Sequence, residues 1–172
     1  MPRLPYVVPA EHPELKDLVA QISNERSGSA SSLYTMLLNS PELCAGWLHL
    51  LTAVRQKSSV PGMHREAVIV RIAIVNDAPY EYKSHAKLAL KEGLTQSQLE
   101  ALECWENSDQ FDAPMRAVLA YTDAMTRNIR VPDKVFEAVR TIYDVKQTTD
   151  LTILIGSYNM VSRFLEALHV GR

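Results

Sequence analysis

One stretch constrains the fold of this chain more than any other: Val68-Ile-Val-Arg-Ile-Ala-Ile-Val75, apolar on every side apart from Arg71. β-branched residues favour strands, so propensity alone reads a buried strand. But the run has no counterpart elsewhere, and a lone strand has no ladder partner for its N–H and C=O groups. The surrounding spacing is helical, so residues 66–77 are expected to form a central helix buried all round.

The rest of the chain divides at its prolines, glycines and polar clusters. Pro2, Pro5 and Pro9 predict an extended arm over residues 1–9. Leu15, Leu18, Val19 and Ile22 make a helical stripe over 10–26, and residues 27–30 read as a loop. A short helix is expected from Ser31 to Leu38, and another from Pro41 to about Lys57. After the central helix, Pro79 opens a helix that Gly93 stops. Thr95 and Gln98 have capping-box spacing for a helix to about Glu106. Asp112 with Pro114 starts the next, to about Asn128, and Val131-Pro-Asp opens one to Tyr143. The last runs from Lys146 or Thr148 to His169, with apolar residues on two faces. The expectation is a single all-α domain over residues 1–172, whose last helix is central or covered by another subunit.

Several function classes are excluded. A net charge of −2, with Lys and Arg dispersed, gives neither a nucleic-acid footprint nor a polybasic membrane patch. No window reaches the ~18 apolar residues of a membrane span, so a cytoplasmic location is expected. Phosphate-loop glycines, metal-binding histidine spacing and a serine-nucleophile elbow are all missing from the sequence. Cys44 and Cys104, sixty positions apart, read as small hydrophobes.

Candidate chemistry gathers around the apolar run. Glu81 and His85 are four apart and share a helix face, so the acid favours the imidazolium and can raise its pKa. Enclosed by apolar walls, such a histidine is a general acid or base near neutral pH. The plainer alternative is a structural helical pair. A functional His85 should open to a pocket, whereas a structural one should be sealed with both nitrogens satisfied. Arg71 must find an anion: Glu66, an acid from another helix or subunit, or a substrate carboxylate. Tyr158, on the last helix's main stripe, needs a partner for its hydroxyl.

Arg65-Glu66-Ala-Val-Ile-Val-Arg71, Tyr80-Glu81-Tyr82, His85, Gly93-Leu94-Thr95, Val118 to Asp123 and Ile155 to Leu165, in this order and spacing, resemble the carboxymuconolactone decarboxylase family, which includes the alkylhydroperoxidase AhpD. The resemblance implies an AhpD-like helical bundle, assembled as a homo-trimer or homo-hexamer. Glu66 and His85 match a glutamate and a histidine of the peroxidase pattern, but its two cysteines fall on Ala78 and Glu81. Disulfide cycling needs two neighbouring thiols, so thiol peroxidase activity is not expected. What remains resembles the decarboxylase branch, which removes CO2 from a small carboxy-lactone with no cofactor. That likeness assigns His85 to proton delivery and Glu66 or Glu81 to orienting it. Arg71, or an arginine from a neighbouring subunit, would hold a substrate carboxylate and Tyr80 the lactone oxygen. The substrate would be a small carboxylate or lactone, with no metal, nucleic acid or membrane involved. A lactonase, hydrolase or isomerase on the same scaffold, or a non-catalytic binding oligomer, stays open.

Overall fold

The computed structural model describes residues 1–26, 28 and 30–172, and among these there are helices and turns but no strand. Residues 27 and 29 of the expected 27–30 loop lie outside the described residues. Contacts group the chain into two compact units, residues 1–57 with 164–172, and residues 58–163.

The first unit contains α1 (Lys16–Glu25), α2 (Ser32–Leu37) and α3 (Pro41–Gln56). The expected helix from residue 10 begins only at Lys16, after two 3-10 turns that each open on a proline, Pro9 and Pro13. Pro13 lacks an N–H and clashes with the preceding turn, so no α-helix runs through it. Ile22, Tyr34, Cys44 and Leu48 form the buried centre of this unit, with Trp47 packed on Phe164. The arm is tied down by backbone bonds from the Val7 N–H to the Thr35 carbonyl and from the Arg3 N–H to the Leu168 carbonyl.

The second unit carries the apolar run as α4 (Gly62–Val75), buried continuously from Glu66 to Ala73. Helicity gives its backbone groups partners within the segment, which a lone strand could not do. Asp77 takes a left-handed φ of 49° and turns the chain, a conformation that Asp tolerates better than most residues. Next comes α5 (Pro79–Lys91), the main packing partner of α4. Gly93, at φ 113°, ends it as expected, and the Leu94 N–H returns to the Ala89 carbonyl at 3.0 Å.

The Thr95 capping box is present and opens α6 (Gln96–Ala101). The helix does not reach Glu106. It gives way at Leu102 to a 3-10 turn, with Cys104 at φ −130° and ψ 47°. The Leu102 and Glu103 carbonyls accept from Arg71 Nη1, at 2.8 and 2.9 Å, instead of continuing a helical ladder. Asp112 caps α7 (Ala113–Asp123), accepting from the Met115 N–H. This helix passes into a π-helical turn, Ala124–Asn128. Helix α8 (Asp133–Arg140) stops three residues before Tyr143, and α9 (Val145–Leu168) completes the chain. Ala67, Val70, Leu102, Trp105 and Leu119 are among the buried side chains at the centre of this unit. No helix is long and apolar enough to cross a membrane among the described residues.

Candidate active site

The central helix brings Glu66 to face α5, where Glu81 and His85 stand one turn apart. His85 Nδ1 lies 2.7 Å from Glu66 Oε2, and its Nε2 lies 3.2 Å from Glu81 Oε1. One imidazole therefore sits between two carboxylates, one on each ring nitrogen. All three side chains are buried, with His85 6% exposed and each glutamate 4%. The Tyr158 ring from α9 meets the imidazole edge-on, with centroids 5.2 Å apart.

The geometry favours the protonated ring. A carboxylate only accepts, so the imidazole satisfies both neighbours only when both nitrogens carry protons. Burial opposes the imidazolium, but the hydrogen bonds and charges of Glu66 and Glu81 outweigh it, raising His85 above the ordinary histidine pKa. Burial would likewise push Glu66 upward, yet the bond to His85 and the charges of His85 and Arg65 hold it below the usual carboxylate range. The second oxygen of Glu66 faces Arg65 Nε at 3.3 Å.

Arg71 belongs to a separate cluster. Its Nε and Nη2 donate to the two oxygens of Asp123 on α7, at 2.7 and 2.6 Å. Its Nη1 takes the two carbonyls at the Cys104 kink, and the side chain is only 3% exposed. Trp105 Nε1 also donates to Asp123, at 3.3 Å. The substrate-carboxylate role implied for Arg71 by the resemblance therefore gains no support from this arrangement. Its guanidinium is committed to a bidentate pair and two carbonyls inside the protein, leaving little for a second anion. Of the partners left open by the sequence, the acid from another helix is the one present. Asp123 was missed as the partner, although an acid following the buried residues Val118, Leu119 and Thr122 is the signal that would have found it.

Tyr80 is half-buried in the first turn of α5. It lies five residues before His85, about 140° around the helix at 3.6 residues per turn. No hydrogen bond joins its hydroxyl to the triad among the described residues. Cys44 is buried in the first unit, and Cys104 is exposed at the kink.

This arrangement can be set beside known proteins. The sequence model of the carboxymuconolactone decarboxylase family matches residues 41–124, a span holding Glu66, Arg71, Glu81, His85 and Asp123. Over this segment the chain resembles the carboxymuconolactone decarboxylase family. An uncharacterised Bacillus subtilis protein, YdfG, is 28% identical over 115 residues, covering 66% of this chain and 78% of its own length. A solved AhpD-type protein of unknown function from Agrobacterium tumefaciens is 24% identical with a TM-score of 0.74, over 78% of this chain and 92% of that one. The debrominase Bmp8, solved with 2,3,4-tribromopyrrole, superposes with a TM-score of 0.79 at 15% identity, over 96% of this chain and 88% of its own. At such identities the likeness to solved structures shows the fold, which is AhpD-like and all-helical as the motifs implied.

Proposed function

We propose that this chain is a member of the carboxymuconolactone decarboxylase family and a cofactor-independent decarboxylase of a small carboxy-lactone, of the 4-carboxymuconolactone type, in which His85 supplies the proton. The observation that carries this reading is the imidazole held between two buried carboxylates. Such a group is biased toward its protonated form, with a carboxylate facing each ring nitrogen. The family match supports a small ring acid as substrate.

In the proposed reaction the substrate's C–C bond to its carboxylate breaks and CO2 leaves. The electron pair passes into the unsaturated lactone, and the proton on His85 Nε2 is delivered to carbon. Glu66 stays on Nδ1 throughout, fixing the ring and stabilising its charge. Glu81 holds the longer of the two contacts, 3.2 Å against 2.7 Å, and is the partner that gives way to substrate. His85 then regains its proton from solvent. Tyr80, beside Glu81 in sequence, is proposed to reach the lactone oxygen once substrate is bound. We place the enzyme in the cytoplasm as a homo-trimer or homo-hexamer.

A second reading has its own observation. His85 is 6% exposed with both nitrogens partnered, so the condition stated above for a structural histidine is met, and the catalytic reading requires Glu81 to leave Nε2 and open a path when substrate binds. The second reading makes the chain a non-catalytic helical binding protein.

The experiment follows 4-carboxymuconolactone by ultraviolet absorbance, with product mass, for the wild type and His85→Gln, using circular dichroism as a fold control. Loss of one CO2 by the wild type, with turnover down at least 100-fold in a folded mutant, is expected from the usual range of acid–base contributions. An unreactive wild type, or a fully active mutant, refutes the assignment. Product of unchanged mass points to an isomerase on the same scaffold, and gain of one water to a lactonase.

A further inference from the structure

The Glu66 carboxylate is shared. Its Oε2 faces His85, while Oε1 faces Arg65 Nε at 3.3 Å. Arg65 has a second anion, because its Nη2 lies 3.3 Å from Glu92 Oε1. Glu92 follows the last turn of α5, and its carboxylate rests on the first turn of α4, over Gly62. A Cβ at Gly62 would collide with that carboxylate, so the absence of a side chain there keeps Glu92 within reach of Arg65. The result is a charge line running inward from the surface: Glu92, Arg65, Glu66, His85, Glu81. Arg65 is 16% exposed at its side chain and Glu92 41%.

We propose that Arg65 is a positioning residue for the triad: it holds the outer oxygen of Glu66 so that the inner oxygen meets His85, and Glu92 sets how much of Arg65 is available to do so. Arg65 touches neither His85 nor any reacting atom, and it acts only through Glu66. A two-point grip fixes the plane of the Glu66 carboxylate, which a single bond to the imidazole leaves free to rotate. Arg65 also keeps Glu66 ionised. With its charge removed, Glu66 takes a proton more readily and the imidazolium loses its acceptor at a higher pH. The charged groups around this line are His85 and Arg65 facing Glu66, Glu81 and Glu66 facing His85, and Glu66 and Glu92 facing Arg65. From α9 the Tyr158 ring meets His85 edge-on.

The catalytic meaning of this device rests on the proposed role of His85, but its existence does not, so the test reads titration rather than turnover. The full chain, labelled with 13C at its glutamate side-chain carboxyls, is titrated by NMR in four forms. Arg65→Gln is expected to raise the Glu66 midpoint by on the order of one pH unit, the usual reach of a lost neighbouring charge. Arg65→Lys keeps the charge and restores the wild-type midpoint to within a few tenths of a unit. Glu92→Gln frees Arg65 for Glu66 and moves the midpoint down. Opposite shifts for Arg65→Gln and Glu92→Gln are something a merely structural arginine would not produce. An unmoved midpoint in Arg65→Gln, or an Arg65→Lys protein that titrates like it, overturns the proposal. Should Arg65→Gln fail to fold, Glu92→Gln decides alone, and an upward or absent shift overturns it. A protein inactive on the lactone yet showing these shifts would sink the proposed reaction and leave the positioning role standing.

Discussion

Replacing Asp123 by Asn should be among the most damaging single-atom-scale changes available to this chain. The substitution keeps the shape of the side chain and removes the charge opposite Arg71, whose side chain is 3% exposed against 12% for Asp123. Breaking a buried ion pair from one side typically costs about 3–5 kcal/mol, because the remaining charge stays in a poorly solvated place. Two features moderate the loss here. Arg71 Nη1 retains the Leu102 and Glu103 carbonyls, and the Glu106 carboxylate stands 4.0 Å from Nη2. The lower end, about 3 kcal/mol, is therefore expected. For a chain of this size that corresponds to a fall in Tm of roughly 6–12 °C. Thermal unfolding followed by circular dichroism at neutral pH measures it, and the loss should shrink markedly when Arg71 is already Met. A drop under about 1 kcal/mol, the range of an exposed pair, would refute the claim that this cluster bears the structural load at the α4–α7 contact.

Stability should also depend on pH through the triad. His85 is raised in the folded state, so its contribution is complete below the unfolded histidine pKa of about 6.5 and is lost as pH rises through the higher folded value. Glu66 is lowered, so its contribution is present above the unfolded value of about 4.3 and is lost as pH falls through the folded one. Denaturant midpoints measured across pH should be best supported by the triad between these limits, and His85→Gln should flatten the alkaline fall; an unchanged slope there would count against the assignment. The two thiols should separate in a disulfide-exchange reagent. Cys104 is exposed and reacts in the native protein, whereas Cys44 is buried with its pKa pushed up to about 11 and reacts only on unfolding. Two fast thiols in the native state would contradict the packing of the first unit.

Much of this architecture was legible because local signals agreed with each other. The run from Val68 to Val75 was read correctly as a helix from its lack of a strand partner, against its own propensity. Gly93, the Thr95 box and the Asp112 cap marked boundaries through chemistry that acts within a few residues. Glu81 and His85 were placed on one face by helical spacing alone. What failed was non-local. Arg71 demanded a partner, but nothing in the chain near it says that Asp123, 52 positions on, is the one. The same guanidinium takes the carbonyls where α6 ends early, so the misread helix end near Cys104 and the unnamed partner of Arg71 share one cause. Pro13 was a local signal overlooked, since a stripe of leucines does not carry a helix through a proline. Glu66 was joined to His85 through family likeness, not spacing, and its grip by Arg65 was legible only in three dimensions.

The central physical claim is that His85 is an imidazolium held by a carboxylate at each nitrogen. It is tested most directly by the ring nitrogens themselves, in 15N-histidine-labelled protein near pH 7 with His85→Gln to assign the signals. The account predicts that both nitrogens of His85 are protonated and slow to exchange. A neutral ring with a single N–H would mean that one of the two glutamates carries the proton instead, and the proton source proposed for the reaction would not exist.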